Sequence, residues 1–147
     1  MITPPDGGEE VLSMFLSRVP ALTSGTLEVM AMARERGRRC VFFVHSSDPA
    51  VDSVGTFIGE RGVHVKAVVT ALGQEHIDVV PWTDSMPQLI RNALWPLVLR
   101  DVILDEASRR ATVAVDEMRS QDRPLDSLRL RLISRALGWE VQVAGIR

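Results

Sequence analysis

The residues best suited to chemistry form the tetrapeptide Gly59-Glu60-Arg61-Gly62. Two glycines three positions apart suit a tight turn, because glycine adopts positive φ and lets another backbone come close. Apolar segments flank the tetrapeptide on both sides, so the turn is predicted to join two helices. The second helix begins with N–H groups that have no partner within the helix, and such groups bind phosphate. The tetrapeptide is therefore a predicted phosphate site.

Charged residues around this turn determine how it would hold phosphate. Arg61 can form a charge-assisted hydrogen bond to a phosphate oxygen. Lys66, four residues after Gly62, is predicted to face the same side one turn later. The phosphate is expected over the N–H groups of Gly62 and Val63, where the helix dipole favours negative charge. Glu60 opposes phosphate and is expected to pair with a basic neighbour instead.

The overall charge restricts how nucleic acid could bind. The chain has 147 residues and a net charge of −2, which does not fit binding through a general basic surface. A local positive patch is needed, and near the tetrapeptide the basic residues are Arg34, Arg36, Arg38, Arg39, Arg61 and Lys66. They slightly outnumber the acidic residues there, which are Glu35, Asp48, Asp52 and Glu60. We expect modest affinity with strong salt sensitivity.

Hydrophobic periodicity predicts the elements that position the tetrapeptide. In chain order they are a helix over residues 9–19 ended by Pro20, strands over 26–33 and 40–45 joined by a hairpin at 34–38, helices over 51–58 and 63–72, and a strand over 77–80. The second half repeats this order weakly, with a helix over 86–94, strands over 98–104 and 110–115, a helix over 126–137 and a strand over 139–143. A repeat of about 70 residues argues for two copies of one domain.

The segment around the tetrapeptide resembles a known family. Residues 46–82, which begin Ser46-Ser47-Asp48-Pro49 and end Ile77-Asp78-Val79-Val80-Pro81-Trp82, resemble the first KH domain of the bacterial transcription elongation and termination factor NusA. Residues 15–35 resemble the entry into that domain. Residues 102–143 resemble the second KH domain, most clearly at Arg110-Ala111-Thr112-Val113-Ala114-Val115 and Leu137-Gly138-Trp139-Glu140-Val141.

The resemblance implies a fold and a function. The expected fold is α+β, with two tandem type II KH domains, each of order α-β-β-α-α-β with a three-stranded sheet covered by helices. The expected domains are a flexible N-terminus over residues 1–8, a first KH domain over 9–82 and a degenerate second one over 83–147. A GxxG loop of this family clamps about four nucleotides. The resemblance thus implies a cytoplasmic, single-stranded RNA-binding protein of transcription elongation, termination or antitermination, with RNA polymerase or other transcription factors as further partners.

The residues expected to bind RNA are Ile58, Gly59, Glu60, Arg61, Gly62, Val63 and Lys66. Bases are expected in an apolar groove beside the loop, with Ile58, Val63 and Ile77 or Val79 as candidates to line it; the alternative for Ile77 and Val79 is a place in the core. Heavy base stacking is not expected, because the chain has no tyrosine and few aromatic residues. The three tryptophans are expected in the core or between the domains: Trp82, Trp95 and Trp139.

The second copy departs from the family at its expected loop. Counting back from Gly138-Trp139 places the loop at Pro124-Leu125-Asp126-Ser127, which contains neither glycine. Proline lacks an N–H and an aspartate repels phosphate. Asp126 or Ser127 can cap the next helix instead. This domain is expected to have lost its RNA clamp, and the arginines of residues 129–135 are either a different binding surface or a solvated helix face.

Other function classes have less support. The three histidines lack metal-ligand spacing, and the tetrapeptide is too short for a P-loop, so we expect no enzyme activity, catalytic residue, metal or cofactor. Cys40 cannot form an internal disulfide and is expected in a strand, and no long apolar run indicates a membrane segment. The main alternative is a KH-fold protein-interaction module that has lost most RNA binding. In the family, a polymerase-binding domain and an S1 domain precede the KH pair, so we expect a stand-alone pair or a fragment.

Overall fold

The computed structural model describes residues 7–120 and 126–144. The chain divides into two compact units, Met1–Trp82 and Thr83–Arg147. Each unit contains a three-stranded sheet with helices. Within the described residues, no helix is long and apolar enough to cross a membrane.

The first unit follows the element order predicted from its hydrophobic pattern, with one added helix. Its elements are α1 (Gly8–Leu16), α2 (Pro20–Ser24), β1 (Leu27–Glu35), β2 (Arg39–Ser46), α3 (Ser53–Ile58), a short 3-10 turn (Glu60–Gly62), α4 (Val63–Ala71) and β3 (His76–Pro81). Strands β1 and β2 form an antiparallel hairpin, and β3 lies parallel to β2. The parallel pairing needs a crossover connection, which α3 and α4 supply.

Three phenylalanines form the centre of the core beneath this sheet. Phe15 of α1 stacks on Phe57 of α3 with ring centroids 4.2 Å apart, and Phe42 of β2 meets each of these two rings at 5.2 Å. All three rings are fully buried. Val68 of α4 lies in the same cluster. The helices are therefore held on the sheet chiefly by apolar burial, at roughly 25 cal/mol per Å².

Local boundaries differ from the prediction at the start of the chain. Helix α1 ends at Leu16, and Pro20, expected to mark the end of a helix, instead begins α2. Proline suits the first helical position because its missing N–H would have no partner there. Helix α1 also begins at Gly8, inside the segment expected to be flexible; residues 1–6 of that segment lie outside the described residues.

A buried ion-pair network joins the end of β1 to the start of α1. Arg34 was predicted in the hairpin connection, but β1 extends through it and its side chain is only 3% exposed. Its Nε and Nη2 donate to the Glu75 carboxylate at 2.9 and 2.8 Å, and the Glu75 side chain is fully buried. Its Nη1 donates to the carbonyl of Gly7 at 2.8 Å and to Glu10 at 2.7 Å. The guanidinium thus joins β1, the start of α1 and the residue before β3.

The hydrogen bonds in this network change the acidity of its members. Donation to Glu75, and more weakly to Glu10, raises the pKa of Arg34 although burial opposes the effect. The hydrogen bond from Arg34 lowers the pKa of the Glu10 carboxyl below its usual value, again against burial. Arg34 therefore stays charged, while Glu10 makes folding depend on pH in the acid range.

We expect the Glu10→Gln variant to lose stability at neutral pH but not in acid. The folded pKa of Glu10 is lowered, so its stabilisation is present above the unfolded pKa of about 4.3 and is lost as pH falls through the folded value. The melting temperatures of wild type and variant should therefore converge as pH falls below about 4. Glu9→Gln, the exposed neighbour on α1, is the matched control and should show no such convergence. A gap between wild type and Glu10→Gln that is independent of pH would contradict the assignment.

The second unit repeats the arrangement with fewer described elements. They are α5 (Met86–Leu94), β4 (Leu99–Asp105), β5 (Arg110–Val115), α6 (Ser127–Leu137) and β6 (Glu140–Val143). Strands β4 and β5 are antiparallel and β6 is parallel to β5, as in the first sheet. Between β5 and β6 the described residues contain one helix, whereas the first unit has two helices and a 3-10 turn between its corresponding strands.

Candidate nucleic-acid interface

The glycine tetrapeptide forms the predicted connection between two helices. Asp52 caps α3, with its side chain accepting from the N–H of Gly55 at 3.1 Å, and α3 ends at Ile58. Gly59 then adopts φ 84° and ψ 163°, and Gly62 adopts φ 74° and ψ 21°. Arg61 between them is also left-handed, with φ 58°. Three positive φ values in four residues turn the chain sharply into α4.

The two glycines serve different purposes. A Cβ on Gly59 would lie 2.5 Å from Cδ2 of His64, so the imidazole packs directly on the Gly59 backbone. A Cβ on Gly62 would meet nothing closer than 3.5 Å, at Cε of Lys66. Gly59 is therefore required for both its backbone angles and its close contact, whereas Gly62 is required for its angles alone. His64 is half-buried against the loop.

The N–H groups nearest the loop are used in closing it. The N–H of Gly62 donates to the carbonyl of Gly59 at 2.9 Å, and the N–H of Val63 donates to the carbonyl of Glu60. These two were expected to face phosphate, so that detail is corrected by the turn geometry. No side chain caps α4. The positive end of its dipole is thus not neutralised by a carboxylate.

The charged residues at the loop are well placed for an anion. Glu60, Arg61 and Lys66 are all exposed. The Lys66 chain runs back along α4 to within van der Waals distance of Gly62, as its spacing predicted. Glu60 forms none of the ion pairs found among the described residues, so its expected pairing with a basic neighbour is not seen. The loop therefore presents two cations and one anion at the uncapped end of α4.

The arginines of the first hairpin are not part of this site. The N–H groups of Gly37 and His76 bond to Glu75 and to the Arg38 carbonyl, so the hairpin turn lies at the end of α4 opposite the loop. At 1.5 Å per residue, α4 separates the two by about 13 Å. Each hairpin arginine also faces a carboxylate; the pairs are Arg34 with Glu75 and Glu10, Arg36 with Glu10, Arg38 with Glu35 and Arg39 with Asp78. The predicted patch thus reduces to Arg61 and Lys66.

The apolar groove candidates have different exposures. Val63, directly after the loop, is 48% exposed, and Ile58, directly before it, is half-buried. Ile77 is only 8% exposed and belongs to the core, and Val79 packs against that core. The alternative considered for Ile77 is thus the correct one, because its side chain lies on the face of β3 that the helices cover. Ile58 and Val63 remain as apolar surface beside the loop.

The corresponding helix of the second unit has a different N-terminus. The Asp126 carboxylate caps α6, accepting from the N–H groups of Leu128 at 2.9 Å and Arg129 at 3.2 Å. Capping by Asp126 is as predicted, while Pro124 and Leu125 of the degenerate loop lie outside the described residues. A protein carboxylate therefore occupies the position where an anion would meet the helix dipole. In α4 that position carries only Gly62.

Comparisons with known proteins show the family of this chain. The sequence profile of the NusA-like first KH domain matches residues 8–82. The transcription termination/antitermination protein NusA of Bacillus subtilis is 35% identical over 131 residues, which cover 88% of this chain and 35% of NusA. NusA of Thermus thermophilus is 34% identical over 135 residues, covering 90% and 35%. The chain therefore spans about a third of the length of these curated relatives.

A solved structure supports the fold alone. The crystal structure of APE1850 has 21% sequence identity to this chain and a TM-score of 0.62, covering 92% of this chain and 95% of APE1850. The α+β architecture with two three-stranded sheets is thus shared with a protein of low sequence identity.

Proposed function

The chain belongs to the NusA-like KH domain family, and from this premise we propose that it binds single-stranded RNA through the loop Gly59-Glu60-Arg61-Gly62. The observation that carries the proposal is that no side chain caps the start of α4. Arg61 and Gly62, both with positive φ, lead directly into this helix, and the exposed Lys66 lies on its first turn. An uncapped helix start beside two cations favours a phosphate.

Each loop residue has a role in the proposed clamp. Arg61 donates to a phosphate oxygen, and the Lys66 ammonium neutralises charge on the same strand. Gly59 and Gly62 allow the positive φ angles of the turn that presents Arg61, while Glu60 limits affinity by repulsion. Phosphate contacts position the strand without reading its sequence. Ile58 and Val63 supply the apolar surface on which bases would rest, so sequence preference would arise there.

The proposed cellular role follows from the named relatives. NusA of Bacillus subtilis and of Thermus thermophilus are termination/antitermination proteins, and we assign this chain to transcription elongation, termination or antitermination in the cytoplasm. RNA polymerase or another transcription factor would be its protein partner.

A protein-interaction module is the second candidate. It is favoured by the net charge of −2 and by the carboxylate cap on α6. The turn needs positive φ at Gly59 and Gly62 under either function, so the glycines do not separate the two candidates. RNA binding through the first unit is favoured instead by the exposed Arg61 and Lys66 at the uncapped start of α4.

The test is fluorescence anisotropy of a labelled single-stranded RNA with wild type and the Glu60→Asp/Arg61→Asp variant over a salt series. Aspartate tolerates the left-handed conformation at residue 61, so the fold should persist. Wild type should show a log–log salt slope of about two to three, since each phosphate contributes about 0.7. The variant should lose at least about tenfold in affinity, since a charge-assisted hydrogen bond contributes about 1.5–3 kcal/mol.

Arg38→Asp is the matched control for this test. It makes the same change of net charge, at an exposed position about 13 Å or more from the loop by the length of α4. Its affinity should fall far less than that of the loop variant. If wild type fails to bind RNA even at low salt, the RNA proposal is wrong and the interaction module becomes the working interpretation.

A further inference from the structure

Trp95 is exposed to solvent to an unusual degree. Its relative exposure is 72%, whereas Trp139 in the same unit is 8% exposed and belongs to the core. The sequence predicted a core or packing position for both. A large aromatic side chain left in water gives up the burial free energy that stabilises folding, and exposed aromatic residues commonly mark binding surfaces.

The backbone of Trp95 is held in place. Its N–H donates to the carbonyl of Arg91 at 3.1 Å, at the C-terminus of α5. Its carbonyl accepts from Nη2 of Arg129 at 2.8 Å, and the same nitrogen donates to the carbonyl of Ala93 at 2.6 Å. Arg91 itself donates to the carbonyl of Leu99 at 2.6 Å. A fixed backbone lowers the entropy cost of binding through the indole.

The setting of Trp95 favours a nucleic acid ligand. Arg129 places a positive charge at the Trp95 carbonyl, on the first turn of α6. The Asp126 carboxylate caps that turn, so the start of α6 is not available to a phosphate. An RNA strand would have to bind here through another kind of contact. Aromatic stacking is such a contact, because every base has a π-face.

The size of the exposed surface favours one base over a protein. The large hydrophobic residues exposed in the described part of the second unit are Trp95, Ile103 and Met118. An aromatic side chain buries about 150–250 Å², while a stable protein interface needs about 800 Å² from each partner. One indole thus provides enough surface to stack on a base, but only a small part of the buried area that a stable protein interface requires.

We propose that Trp95 is a stacking platform for one base of a single-stranded RNA bound by this chain. This inference rests on the proposed RNA-binding function and adds a contact in the second unit. The platform supplies affinity without a phosphate clamp, and with little sequence preference.

The test compares two 20-nucleotide strands, one an RNA of mixed sequence and one with abasic units in place of its bases. Wild type, Trp95→Ala, Trp95→Phe and Glu60→Asp/Arg61→Asp are titrated with each. Trp95→Ala should bind the RNA about 5- to 150-fold more weakly than wild type, and Trp95→Phe should retain most of the affinity. Neither substitution should change binding of the abasic strand, and RNA should quench less tryptophan fluorescence in Trp95→Phe than in wild type.

The outcomes separate this inference from the proposed function. If Trp95→Ala binds RNA as wild type does while the loop variant loses binding, the clamp stands and the platform is wrong, which leaves a protein partner for Trp95. An equal loss on the abasic strand also overturns the platform, since stacking requires a base. If Trp95→Ala loses RNA affinity while the loop variant keeps it, the platform is supported and the clamp is wrong. Failure of wild type to bind RNA overturns both.

Discussion

Replacing Glu75 with alanine is expected to lower the free energy of unfolding by about 3–5 kcal/mol, the largest effect of any substitution considered. The Glu75 side chain is fully buried and its carboxylate accepts two hydrogen bonds from Arg34 and one from the N–H of Gly37. The alanine variant leaves a guanidinium that is 3% exposed without its main partner. Urea denaturation of wild type and variant at pH 7 measures the difference.

Two further variants show whether the loss comes from the unpaired charge. Glu28→Ala removes an exposed carboxylate from the same strand as Arg34, and should change stability by less than about 0.5 kcal/mol. Arg34→Met/Glu75→Leu removes both charges and should be more stable than Glu75→Ala alone, since buried pairs are often replaceable by apolar residues. A loss below about 1 kcal/mol in Glu75→Ala would contradict the buried pairing.

The second large effect is expected at Gly59. Gly59→Ala forces a side chain into φ 84° and ψ 163°, a region occupied almost only by glycine and costing about 1–3 kcal/mol. Its Cβ would also lie 2.5 Å from the His64 ring and 2.9 Å from Cγ1 of Val63. Both contacts force α4 or the loop to move. The variant should therefore lose stability and bind RNA much more weakly, as measured by thermal melting and anisotropy.

Gly62→Ala is the matched control, because it lies in the same tetrapeptide. Its φ of 74° costs about 1 kcal/mol for alanine, and its Cβ meets only ordinary contacts with Lys66. Gly62→Ala should thus be more stable than Gly59→Ala and should keep more RNA affinity. Equal losses at both positions would contradict the tighter constraint assigned to Gly59.

The sequence by itself determined the element order and the place of the loop. The apolar spacing of Val65, Val68, Val69 and Leu72 is a local signal for α4. The run of β-branched and aromatic residues after Cys40 is a local signal for β2. Glycine at 59 and 62 marks left-handed backbone without reference to the rest of the chain. The cap by Asp126 is similarly local, since it joins residues two and three positions apart.

Only the tertiary structure decided which charges are available. Arg34 and Glu75 are 41 positions apart, and no periodic pattern shows that they meet. The same holds for Arg39 with Asp78, which removed another arginine from the predicted patch. The packing of the second unit likewise decided that Trp95 is exposed while Trp139 is buried. Periodicity tells which face of an element is buried, but which distant side chain lies opposite is decided when the elements pack together.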